Sequence, residues 1–469
     1  MHISVVSRKT HEKKDTLFLP YTQEFNHILK RFNDKDAKFL DEYIKDTQFG
    51  INDFELLKLP EMGNTVLLCG LKEVNESIAR SIRKYHKRTS NIVFDIEMFK
   101  NLNLDDETLA RIITNAVFLG SYNPGDNVDL LEGEGLKQIT INAPDSQTEW
   151  YRKLFDVANE NVQATLQARI FGNSSLELET TDKILDEMKK SLGRKFKTKI
   201  YRAKDIRSFR YRGLAQIADL SVEEPAMIIA EHKPDRGKTI AICASLVLHP
   251  FQSIEGAKSH MLTLGIIKAL SQIHTNMEKD TSLVLVFTIS KLKETVNLLQ
   301  KPIKLASGSS FELTSRESIY TLPLSDAIFA ASRYKPRQII SLNSDAIGFS
   351  SFLGSKTAAY LSNSEVSTQL LDDAGKIALE SVFRLPLNYS EDVHTGLRKN
   401  YRLVGGDKIE SWLYNARILE VNASGYPWMH IDFSVNSYST IENGTMSKGS
   451  TGFGAALLNE YLKILSKKT

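Results

Sequence analysis

His249, Glu255, His260 and Glu317 are imidazoles and carboxylates, the groups that ligate zinc. No two of them share the helix-face or short-loop spacing of a recognised zinc site, so the plainer reading is polar residues of a surface or pocket. Ser245 and Ser259 have no histidine and aspartate in an identifiable nucleophile setting, which leaves serine hydrolysis unsupported. SGSS at 307–310 lacks the lysine of a phosphate loop, and Gly405-Gly406 reads as a turn rather than a ligand cradle. The remaining chemical feature is charge. Residues 189–212, KKSLGRKFKTKIYRAKDIRSFRYR, carry eleven Lys or Arg, one Asp and four aromatics. Lys195, Lys197, Lys199, Arg202, Arg207, Arg210 and Arg212 could hold a polyanion, with the rings stacking on bases, or dock on an acidic protein surface. The alternative is a solvated helix and strand whose cations simply cover it.

The elements that must position these groups follow from periodicity. TVLLCGL (65–71), a helical pattern over 73–88 and NIVFDI (91–96) form a βαβ signature. A helix over 105–122 and a strand within 136–144 complete a small N-terminal α/β domain, residues 1–150. A helical connection over 151–172 leads to a larger α/β domain over 173–469. Its strands are expected at 226–232, 239–248, 281–289, 337–343 and 428–434, with helices at 260–273, 324–334, 364–383 and 451–468. Long apolar strands with helical crossovers imply a mixed sheet covered by helices on both faces.

Three segments of that second domain resemble the leucyl aminopeptidase family. They are YPWMHIDFSVNSYS with SKGSTGFGAALLNEYL (426–439, 447–462), LPLSDAIFAASRYKPRQIISLNSDAIGF (322–349) and RLPLNYSEDVHTGLRKNYRLVGGD (384–407). ATLQARIFGNSSLELETTDKI (164–184) stands where the family has its ARDLVNTPAN segment, whereas the first 150 residues resemble the family's smaller domain only loosely. The resemblance implies a two-metal peptidase, with zinc or manganese activating a water and polarising the scissile carbonyl, assembled as a hexamer.

Carried over residue by residue, the resemblance puts Ala244 at the lysine and His249 at the aspartate of the family's GKGITFD. Gly256 falls at the aspartate of DMGGAA. In NTDAEGR, Glu317 falls at the aspartate, Ile319 at the glutamate and Thr321 at the catalytic arginine. The loop that carries the family's catalytic lysine is shortened to PFQSIEG (250–256), which has none. Of the five ligand positions only His249 and Glu317 keep an atom able to coordinate. The expectation from these positions is that the two metals are lost, that no cofactor is bound and that the chain is no enzyme but a structural or assembly subunit. The alternatives are a residual or altered metalloaminopeptidase using a metal at His249 and Glu317, or a nucleic-acid-binding protein using 189–212.

Composition excludes whole classes. The 469 residues are 42% hydrophobic, enough for two or three domains with sizeable cores. Sixty Lys plus Arg against 57 Asp plus Glu give a net charge of +3, so charged function must be local. Cys69 and Cys243 lie in apolar runs, which reads as buried thiol rather than a disulfide framework. No apolar run is long enough to span a bilayer and MHISVVSRKTHEKKD lacks a signal-peptide core, so the expectation is a cytoplasmic protein, or a mitochondrial-matrix one.

Overall fold

The computed structural model describes residues 1–7, 12–124, 135–232, 237–250, 253–273, 281–294, 303–308, 310–313, 317–344, 353–387, 400–403 and 409–467. The chain divides into two compact units, Met1–Gln163 with Thr440–Lys448, and Ala164–Ser439 with Gly449–Thr469.

The first unit contains strands β1 (His2–Ser7), β2 (Thr16–Tyr21), β3 (Phe54–Lys58), β4 (Thr65–Gly70), β5 (Asn91–Asp95) and β6 (Gln138–Ala143). They form one sheet in the order β1-β6-β5-β2-β4-β3, parallel throughout except for the antiparallel β3–β4 pair. β2 tolerates Pro20 because its pairing with β5 ends at Leu17, leaving no partner there for the missing N–H. The helices are α1 (Asn26–Leu29), α2 (Asp34–Thr47), α3 (Val74–Tyr85) and α4 (Asp106–Ser121). Asn33 caps α2 by accepting from Asp36 N at 2.8 Å, and Asp105 caps α4 by accepting from Thr108 N at 2.7 Å. α3 and α4 cross closely at Gly120, where a Cβ would lie 2.7 Å from the Ala79 carbonyl oxygen. The segment 440–448 joins this unit through Arg83, which donates to Glu442 at 2.7 Å and to the Gly444 carbonyl at 3.1 Å, and through Glu76, which accepts from Thr445 N at 3.0 Å.

Helix α5 (Thr148–Asn173) supplies residues to both units. The second unit continues with α6 (Thr181–Leu192), β7 (Lys197–Tyr201), α7 (Ala203–Ser208), α8 (Arg212–Leu220), β8 (Ala226–His232), β9 (Lys238–Leu248), α9 (Ile254–Ile273), β10 (Thr281–Lys291), β11 (Ile303–Lys304), β12 (Ser310–Leu313), α10 (Thr321–Ser332), β13 (Gln338–Asn343), β14 (Thr357–Ser362), β15 (Ser381–Arg384), β16 (Asn400–Leu403) and β17 (Trp428–Asp432). Its main sheet runs β15-β14-β17-β13-β9-β10-β8-β7. β9, β10, β13 and β17 are parallel, whereas β8 and β14 run against them. Alternation along β9 builds a core on each face. Ile240, Ile242, Ala244, Leu246 and Leu248 pack with α6 and α9, while Ala241, Cys243 and Val247 pack with α8 and α10. The mixed sheet covered by helices agrees with the sequence reading. Cys69 and Cys243 are buried and free, and burial pushes both thiols up. Among the described residues no helix is long and apolar enough to cross a membrane.

Candidate functional site

Parallel strands in an open α/β sheet present a crevice beyond their C-terminal ends. In the large unit that edge is set by Leu248 opposite Lys291 and by Asn343 opposite Asp432. Lys291 Nζ donates to the Glu179 carbonyl at 2.8 Å. Asp432, fully buried, accepts from Ser434 N at 2.9 Å. The start of α9 lies at the same end. Ser259 Oγ donates to the Glu255 carbonyl at 2.8 Å and accepts from Ser437 Oγ at 2.7 Å, which ties α9 to the loop after β17. Lys258 is held to Glu177 at 2.7 Å and donates to the Ser174 carbonyl. His260 packs its ring 5.2 Å from that of Tyr320, joining α9 to the short turn Glu317–Tyr320. Burial pushes His260 down to about 4, so it is neutral near pH 7.

The positions named through the resemblance are placed as follows. Ala244 lies in mid-strand between Phe287 and Leu342, with no exposed surface. His249 is half-buried just beyond β9. Gly256 sits in the first turn of α9, its N–H donating to Ser253 Oγ at 3.1 Å. Glu317 opens the turn before α10, Ile319 is 1% exposed inside the α10 cluster, and Thr321 is the buried first residue of α10. The His260–Tyr320 contact thus brings the α9 motif and the 315–321 motif together. Of the four donor groups in the alternative zinc reading, Glu255 is exposed and His260 is packed against Tyr320. Residues 251–252 and 314–316, which adjoin these motifs, lie outside the described residues, as does Gly405-Gly406.

Ala244, Gly256 and Ile319 present no donor atom, and two of the three are enclosed by hydrocarbon. These positions do not fit a pair of divalent cations. Among the described residues no three His, Cys, Asp or Glu side chains gather as a metal site would require. The Ser259–Ser437 pair was not legible in the sequence, because 178 residues separate its members.

The basic tract becomes the end of α6, all of β7, α7 and the start of α8. Much of its charge is paired. Lys189 meets Asp186 at 3.3 Å, Lys199 meets Glu231 at 3.0 Å and Arg207 meets Asp219 at 2.6 Å, while Lys190 pairs with Glu187 and Arg202 with Asp182. Tyr201 packs its ring 5.1 Å from Phe209 and 6.1 Å from Tyr211. The rings expected to meet bases therefore mostly meet one another. Lys195, Lys197, Arg210 and Arg212 are exposed.

Comparison with known proteins adds the family. A sequence model described as the cytosol aminopeptidase family, catalytic domain, matches residues 167–459. A probable cytosol aminopeptidase of Chlorobaculum tepidum is 28% identical over 290 residues, 57% of this chain and 56% of that protein, so the chain matches little more than half of that relative's length. One from Roseiflexus castenholzii is 23% identical over 379 residues, 76% of this chain and 77% of its own. Among solved structures, a tomato leucine aminopeptidase mutant superposes with a TM-score of 0.80 at 16% identity, covering 98% of this chain and 96% of that one. The bottromycin maturation enzyme BotP in complex with Mn gives 0.76 at 15% identity, covering 97% and 99%. At such identities these structures speak for the fold alone.

Two expectations are corrected by these matches. The chain was expected to be no enzyme, yet the region that matches is a catalytic domain and the relatives are named as aminopeptidases. It was also expected to bind no metal, yet the matched family is the two-metal one. The physical reason for both corrections is the same: the absence of a donor atom at 244, 256 and 319 shows which residues are not ligands, and says nothing about which other groups act. The chain belongs to the cytosol aminopeptidase family, with residues 167–459 matching that family's catalytic domain.

Proposed function

We propose that this chain is an altered aminopeptidase, which removes N-terminal residues from peptides with groups other than those the family motifs would place at 244, 256 and 319. The catalytic-domain match across 167–459 is the observation that carries this reading. The strand edge at Leu248, Lys291, Asn343 and Asp432 is the C-terminal end of the parallel strands, where α/β sheets place their binding crevice. A divalent-cation requirement belongs to the reading as the family's own, and His249 and Glu317 are the two aligned positions at which it is tested. A cytoplasmic homo-oligomer, by resemblance a hexamer, is part of the same reading, and light scattering of the preparation used for assay reads its mass.

The test is to assay the full chain on leucine amide and on leucine-led di- and tripeptides, with Mn²⁺, Zn²⁺ or Co²⁺ and with chelator. Metal-dependent turnover that chelator removes is expected, falling by about tenfold or more in His249→Ala or Glu317→Ala. Absence of turnover with every metal and substrate would overturn the reading.

A further inference from the structure

We propose that the outer edge of β7, with the aromatic corner beside it, is a docking site for an acidic, extended segment of a partner protein. β7 is the terminal strand of the eight-stranded sheet and among the described residues pairs only with β8, so alternate N–H and C=O groups along Lys197–Tyr201 point away from the sheet. A peptide laid there as a ninth strand would gain main-chain hydrogen bonds.

Charge selects the occupant. Five cations of the tract are neutralised by the pairs described above. Arg194, Lys195, Lys197, Lys204, Arg210 and Arg212 are exposed and have no carboxylate within ion-pair distance among the described residues. The corner supplies an apolar anchor point. Phe209 is 47% exposed although it leans on Tyr201, and Arg210 beside it holds a left-handed backbone with φ of 61°. Lysines on an edge strand also deter self-association, which accounts for Lys197. That role does not account for an exposed phenylalanine, or for arginines beyond the strand. Single-stranded nucleic acid would use the same cations, but it also needs a row of accessible rings. Phe196 and Tyr211 are 5% and 2% exposed, so the tract offers no such row.

The experiment titrates the full chain with three fluorescein-labelled probes. One is a short peptide alternating Glu with Val around a central Phe, the second is its Gln counterpart, and the third is a single-stranded RNA. The acidic peptide is expected to bind, with about tenfold lower affinity for Lys197→Glu/Arg210→Glu/Arg212→Glu and about threefold lower for Phe209→Ala. In the unchanged chain, amides within 197–201 gain hydrogen-exchange protection when the peptide is present. No binding of the acidic peptide, equal binding of the Gln peptide or no protection over 197–201 overturns the proposal. So does RNA bound more tightly than the peptide and released by the same triple variant.

Discussion

Ile319, in the turn before α10, and Asp326, midway along α10, are both buried and lie seven residues apart, yet the protein treats them in opposite ways. Ile319 occupies the position where the family resemblance puts a carboxylate, and it is packed in hydrocarbon. Asp326 is a carboxylate with no exposed surface, and its Oδ2 accepts from Leu214 N at 2.8 Å. Gly213 is required there, since a Cβ would lie 2.7 Å from the Leu322 carbonyl oxygen. Glu380 repeats the device one layer away, accepting from Gly454 N at 3.1 Å and Leu457 N at 2.9 Å at the start of the last helix, Ala455–Lys467. These two buried carboxyl groups therefore each pin a helix start to the core by accepting from its backbone N–H groups. At 244 and 319 the sheet and its neighbouring turn are filled as ordinary core.

The largest effect is expected from forcing the family residue back into that core. Ala244→Lys places an ammonium and four methylenes between Phe287 and Leu342, at a position with no exposed surface. Overpacking costs about 1–3 kcal/mol and an unpaired buried cation adds several more, so a loss of about 4 kcal/mol or more is expected in urea unfolding at neutral pH. A variant of unchanged stability would mean that position 244 opens onto the crevice, and the contrast with Asp326 would collapse.

A smaller effect separates the buried carboxylates from ordinary ones by pH. Burial raises Asp326 to about 7 from 3.8 and Glu380 to about 7 from 4.5, against the pull of their backbone donors. A carboxyl group whose folded value is raised holds its proton more tightly in the folded state. The stability it contributes is full below about pH 4 and is lost as pH rises through about 7. The chain is therefore expected to melt at lower temperature at pH 8 than at pH 5.5. Glu380→Gln keeps an acceptor oxygen for Gly454 and Leu457 but cannot ionise, so its melting temperature should fall less over the same interval. Parallel curves for variant and parent would show that Glu380 is ionised throughout.

How much of this was legible in the sequence depended on burial. The strands expected at 226–232, 239–248 and 281–289 are covered on both faces, so each reads as a mostly apolar run. β7 and β15 lie at the two sheet edges, and their sequences KTKIY and SVFR carry no such run. β2 was obscured by Pro20. At this end of the sheet, motif alignment pointed to the α9 start and the 315–321 turn, and in the structure the two segments touch through His260 and Tyr320. It gave no access to Ser437 or Glu380, whose partners are distant in the chain. It also invited a conclusion about the whole activity from six positions. Side-chain chemistry at those positions can exclude particular ligands, but an enzyme's competence is a property of every group that reaches the crevice.

The smallest effect tests the same carboxylate chemistry in water. Arg207 and Asp219 lie 2.6 Å apart on the surface, each 54% exposed, in the basic tract where the paired cations suggest a stabilising network. Exposed pairs gain little, because solvent and salt screen the attraction and ordering two side chains costs entropy. Arg207→Ala should leave urea stability within about 0.5 kcal/mol of the parent. A loss above about 1.5 kcal/mol would place this pair with Asp326 and Glu380 as a fold-bearing contact. A small loss confines the strong effects to carboxylates that water cannot reach, and leaves the charges of the tract free to be read as surface chemistry.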